Sequence, residues 1–79
     1  RREITVIGMT VAEAIAEIDP FLDAAAVAGI EEVKIIHGFG MGRLKKGIQE
    51  YLRTHRGVEG FRSGAYGEGE GGVTVVRLK

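Results

Sequence analysis

The sequence predicts an α/β fold: a two-layer sandwich in which a four-stranded mixed sheet carries two helices in the order β-α-β-α-β-β. Three observations predict it. Strand-like runs recur at residues 3–7, 33–36 and 73–78, rich in Val and Ile, and at 58–62, a shorter one with Val58 and Phe61. Between the first three of these runs, apolar residues repeat at helical spacing. Between the last two there is only "SGAYGEGEGG", residues 63–72, with five glycines in ten. Strands linked by a helix are expected to lie parallel through a right-handed crossover, and the last two to pair as an antiparallel hairpin.

The first strand, residues 3–7, ends at Gly8. Thr10 then stands three residues before Glu13, the spacing of a capping box, in which each side chain satisfies an orphan amide of the other. A helix over 11–28 follows. Its Ala14, Ile15, Ile18, Leu22, Ala25 and Ala26 form one apolar stripe, with Glu13, Glu17 and Asp23 off it. Pro20 lacks an amide proton and crowds the preceding turn, so a kink or break is expected near Asp19. Gly29 is a natural stop. The second strand, 33–36, runs into "HGFGMG" and then a helix over 42–54, where Leu44, Ile48 and Leu52 share a face with Tyr51. Arg43, Lys45, Lys46, Gln49, Glu50 and Arg53 are left for water or a partner. Gly47 weakens that helix by roughly 1 kcal/mol relative to alanine, and close approach to the sheet would account for it. The 63–72 stretch is expected to be a long mobile hairpin loop, too polar and flexible to pack.

Composition narrows the function. The 79 residues make one domain, and one this small has a thin margin of stability. There is no cysteine, so neither disulfides nor a thiolate metal site support it. No apolar run approaches the roughly 20 residues that cross a membrane, and a cytoplasmic location is the default. Because the chain opens on Arg1 and enters a strand pattern at once, it is expected to be a domain of a longer protein. Net charge is zero, but the charges are segregated. Residues 10–33 hold six acids and no base, whereas residues 34–56 hold six bases against the single acid Glu50. A neutral chain can thus present one basic face to a polyanion.

The stretch "IIHGFGMGRLKK" concentrates the candidate chemistry. It lies where a strand ends and a helix begins, the place where ligands collect in open α/β sheets. Free amides of a first helical turn favour an anion, glycines allow close backbone approach, and Arg43, Lys45 and Lys46 add full charges. His37 has the side chain that can exchange a proton near neutral pH. A phosphate site fits these residues better than a metal site. The pattern is neither a Walker loop nor the dinucleotide fingerprint, since no Gly-Lys-Ser/Thr follows and the spacing is G-x-G-x-G. His55, at the end of the second helix, reads as a favourable cation at a helix C-terminus. No histidine pair has ligand spacing, and the acids needed for a two-metal centre are missing. Glu68 and Glu70 ride the glycine-rich stretch, where solvating it is their simplest role.

These residues carry a resemblance. "GMTVAEAIAEIDPFLDAAAVAGIEEVKIIHG", "HGFGMGRLKKGIQEYLRTH" and the closing "GGVTVVRLK" resemble the Smr (small MutS-related) domain over essentially the full length. The version resembled most is the one at the C-terminus of the second bacterial MutS paralogue. The resemblance implies the β-α-β-α-β-β fold, nucleic-acid binding and, in many members, nicking of DNA. It also implies a parent chain with an ATPase domain that recognises branched DNA and restrains homologous recombination. A role on stalled ribosomes is also attributed to that paralogue, which adds ribosomal RNA to the partners the resemblance implies.

The family's H-G-x-G-x-G motif maps onto His37, Gly38, Gly40 and Gly42. On this basis the expected catalytic residue is His37, as general acid or base. The expected phosphate-binding set is Gly38, Gly40, Met41, Gly42, Arg43, Lys45 and Lys46. A divalent ion, magnesium or manganese, is compatible with such chemistry, though no ligand set for one is evident. The family's first-strand motif, Leu-Asp-Leu-Arg/His-Gly, is not kept: Thr5 stands where the aspartate would be and Ile7 where the arginine or histidine would be. The alternative is therefore a binding module without catalysis, using the same basic helix on DNA or RNA.

Overall fold

The computed structural model describes residues 2–79. Its elements follow the expected order: β1 (Glu3–Thr5), α1 (Val11–Val27), β2 (Glu32–Ile36), α2 (Arg43–Arg53), β3 (Val58–Ser63), a 3-10 turn (Glu70–Gly72) and β4 (Val73–Leu78). The sheet order is β1-β2-β4-β3. β1 and β2 are parallel, while β2 with β4 and β3 with β4 are antiparallel. Inserting β4 between β2 and β3 makes β4 a central strand, and its sequence "VTVVRL" is the most continuously apolar of the four.

Alternation along each strand sends one set of side chains toward the helices. Ile4, Val33, Ile35, Val76 and Leu78 meet Ala14, Ile18, Leu22 and Ala25 of α1 and Ile48 and Leu52 of α2 in one core. The capping box forms as the sequence predicts: the Glu13 amide donates to Thr10 Oγ1 at 3.1 Å, and the Thr10 amide donates to Glu13 Oε1 at 2.9 Å. β1 is shorter than expected, ending at Thr5, although the Val6 amide still donates to the Ile36 carbonyl at 2.8 Å.

Three local expectations are corrected. Of the kink or break expected near Asp19, the break is not found: α1 runs as one helix from Val11 to Val27 with Pro20 inside it. Pro20 is exposed and so is Ala16, whose carbonyl loses its usual partner, while Ile18 and Leu22 on either side are buried. Core burial on both sides of the proline holds the helix together. Gly47 serves helix against helix, not helix against sheet: a Cβ there would lie 2.7 Å from both γ-carbons of Val11.

The 63–72 stretch is folded, not a free loop. The Gly64 amide donates to the Glu70 and Val73 carbonyls at 3.0 and 2.9 Å. Arg62 donates to Glu68 at 2.7 and 3.2 Å, and the Ala65 amide donates to Glu68 Oε1 at 2.8 Å. The Arg62 guanidinium holds the Glu68 carboxyl down at about 2. Gly69 sits so close to Val73 that a Cβ would lie 2.4 Å from it. Glycines let this segment lie down on the sheet, where larger residues would hold it away.

Candidate nucleic-acid interface

The site is built where β2 stops. Gly38, Gly40 and Gly42 all take left-handed backbone conformations, with φ of +79°, +47° and +80°, which side chains rarely tolerate. That alternation folds residues 38–42 into a compact turn. Two hydrogen bonds pin its root, as the His37 and Gly38 amides both donate to the Gly72 carbonyl, at 3.1 and 2.9 Å. The glycine-rich stretch before β4 therefore has a structural task, which is to anchor this turn.

Gly42 is the N-cap of α2 and offers no side chain to its first amides. Arg43 and Lys46 are exposed and Lys45 is half-buried. Gly42, Lys45, Lys46, Gln49, Glu50 and Arg53 line a shallow groove of about 330 Å³ along the helix. Of the expected phosphate-binding residues, Gly42, Lys45 and Lys46 line this groove, while Gly40, Met41 and Arg43 are exposed outside its lining and Gly38 is half-buried.

His37 lies buried at the root of the turn. Only 4% of it is exposed. Its Nδ1–H donates to the Gly38 carbonyl at 2.9 Å. With the proton there, Nε2 accepts from the Thr74 hydroxyl at 2.8 Å, and that hydroxyl accepts in turn from Gln49 Nε2 at 3.1 Å. Burial lowers the His37 pKa below 6.5, the hydrogen bond to Gly38 opposes the shift, and the nearby Lys45 charge adds to it. This arrangement holds a neutral imidazole with both nitrogens occupied by protein. A proton exchanged with a substrate at Nε2 requires the Thr74 bond to open first.

Thr74 and Gln49 escaped sequence reasoning as site residues. Gln49 was assigned only to water or a partner. Thr74 had one faint signal, as the lone hydroxyl in "VTVVRL", but its partner is 37 residues away. The family-motif positions separate. Ile7 lies over the glycine turn, with its Cγ1 3.4 Å from where a Gly38 Cβ would be. Thr5 is exposed, pairs with Ile36, and borders the cleft between β1 and α1 beside Ile4, Met9 and Phe21. Its side chain projects from the opposite sheet face to the buried His37. His55 ties α2 to α1: its Nδ1 accepts from the Gly57 amide at 2.9 Å, and its Nε2 is 3.6 Å from Asp19, to which Tyr51 also donates. Among the described residues, no three His, Cys, Asp or Glu side chains form a group that could hold a metal.

A mixed β1-β2-β4-β3 sheet under two helices, with an H-G-x-G-x-G turn feeding a basic helix, defines a class of small α/β domain. The family model described as "Smr domain" matches residues 4–79, and the chain belongs to that family. It is 49% identical over all 79 residues to "Endonuclease MutS2" of Clostridioides difficile (strain 630), and 54% identical over 72 residues, 91% of the chain, to the protein of the same name from Brevibacillus brevis. It spans only 10% and 9% of those two relatives. Among solved structures, the crystallised Smr domain of Thermus thermophilus MutS2 superposes with a TM-score of 0.96 at 42% identity, covering 100% of this chain and 99% of that one. YdaL, a stand-alone small MutS-related protein from Escherichia coli, matches at a TM-score of 0.90 and 20% identity over 98% of this chain and 63% of its own, which speaks to fold alone.

Proposed function

We propose that the domain grips the sugar-phosphate backbone of nucleic acid at the glycine turn and the start of α2, within a MutS2-type chain that nicks DNA. The observation that carries this reading is the conjunction at Gly42. An uncapped helix start, which favours anions through its free amides and dipole, opens directly onto Arg43, Lys45 and Lys46. The relatives' name, endonuclease, supplies the reaction class: hydrolysis of a phosphodiester. The parent's ATPase domain, branched DNA as the preferred target and a cytoplasmic setting belong to the same proposal.

Within it, His37 has two tasks in sequence. At rest it fastens the turn through Gly38 and Thr74. When its ring leaves Thr74, Nε2 can accept a proton from the attacking water or, once charged, return one to the leaving oxygen. A second reading, a backbone binder without cleavage, is favoured by the burial of His37 and by Thr5 in place of an acid. DNA or ribosomal RNA would serve that binder equally.

Nicking of supercoiled plasmid by the 79-residue chain and by His37→Ala, each with magnesium, manganese and a chelator control, separates the two. Nicking lost in the variant while DNA binding persists supports the catalytic histidine. Nicking by neither protein, with salt-sensitive binding in both, selects the non-catalytic binder.

A further inference from the structure

The same turn that gathers the cations also exposes apolar side chains that the backbone-binding reading does not use. Phe39 is 69% exposed, Met41 89% and Ile7 59%. They are three of the five large hydrophobic side chains that stand exposed among the described residues. Their setting is built, not loose. The Phe39 ring rests on Gly71 and Gly72, its carbons 3.0–3.7 Å from where their Cβ atoms would be. Any side chain at Gly72 would push it away. Met41 directly precedes the N-cap of α2, between Gly40 and Gly42, whose left-handed backbones set its direction. The root of the turn is tied to Gly72, so the platform exists before any ligand arrives.

Charge decides what this platform is for. It adjoins Arg43, Lys45 and Lys46, so its occupant is both anionic and flat or apolar. We infer that Phe39 and Met41 pack against unstacked bases while the start of α2 holds the flanking phosphates. The ligand class is nucleic acid with unpaired bases, such as single strands, gaps and flaps, in preference to uninterrupted duplex. Every base has a face for an aromatic ring, whereas a duplex hides those faces in its stack. Met41 adds a polarizable thioether that adapts to whichever base is presented. The inference rests on the proposed backbone grip and names the substrate that the grip selects.

The test titrates the 79-residue chain against a labelled single strand and against the duplex of the same sequence, by fluorescence anisotropy, using wild type, Phe39→Ala and Phe39→Trp. The variants lie on an exposed turn, and thermal melts confirm that each is folded. Wild type is expected to favour the single strand. Phe39→Ala is expected to lose about 5- to 150-fold on the single strand, the range for one aromatic–base stack, and little on the duplex. Phe39→Trp is expected to keep the preference, with its emission quenched by the single strand alone. No preference in wild type, or equal loss on both ligands, overturns the inference while leaving the backbone grip intact. Unchanged binding by Phe39→Ala also overturns it. Absence of salt-sensitive binding to either ligand overturns the backbone grip itself, and this inference with it.

Discussion

Removing Lys45 and Lys46 tests the backbone grip most directly, because its effect can be worked out in advance. Three cations, Arg43, Lys45 and Lys46, stand on the first turn of α2, and Arg53 further along lies over the Phe61 ring, 5.5 Å from its centre. If each of the three neutralises one phosphate, log K falls against log salt with a slope of about −2.7, from roughly −0.9 per contact. Between about 50 and about 200 mM salt the wild-type chain then loses about 40-fold in affinity. Lys45→Ala/Lys46→Ala leaves one contact, a slope of about −0.9 and a loss of only about 3- to 4-fold over the same range. Anisotropy titrations across a salt series measure both slopes on one oligonucleotide. Lys45 is half-buried, so circular dichroism must show that the double variant is folded. Equal slopes in the two proteins would refute the reasoning, because they would place the contacts elsewhere on the domain.

Other consequences follow from the packing. Gly47→Ala should destabilise the domain by about 1–3 kcal/mol despite alanine's better helix propensity, since the new methyl collides with Val11. Adding Val11→Ala should recover part of the loss in a thermal melt. Thr74→Val should cost about 1–3 kcal/mol in urea denaturation, because it strands His37 Nε2 and Gln49 Nε2 without partners, whereas Thr74→Ser should cost much less. Burial lowers the His37 pKa, so below 6.5 the unfolded chain binds more protons than the folded one, and stability falls as pH drops through that window. Urea midpoints at about pH 7.5 and about pH 5 should therefore differ in wild type and differ less in His37→Gln. Glu68, whose pKa is lowered to about 2 by Arg62, acts in a separate window: its contribution is present above 4.5 and lost as pH falls toward 2.

Much of the architecture was legible along the chain because it depends on neighbours in sequence. The Val- and Ile-rich runs, the Thr10–Glu13 box and the stripe through Ile18 and Leu22 are local patterns, and each formed where its pattern lay. Pro20 misled because its cost is local, while the burial that outweighs it comes from the sheet below α1. Gly47 misled because its reason, Val11, is 36 residues away. The glycines of 63–72 misled because the backbone hydrogen bonds of Gly64 leave no mark in side-chain identity, and the Arg62–Glu68 pair that closes the segment looks in sequence like ordinary surface charge.

The sequence by itself determined the order of elements, the cluster of glycines and cations after β2, and the family to which both belong. Only the tertiary structure decided what His37 does at rest. The histidine sits under the turn, held by the Gly38 carbonyl and by a hydroxyl from β4 that an amide from α2 steadies in turn, because inserting β4 beside β2 brings Thr74 to the end of the second strand. It also decided that Thr5 and His37 lie on opposite faces of the sheet. Strand alternation sets that separation, but only once β1 is known to pair with β2 in the register that places Thr5 beside Ile36.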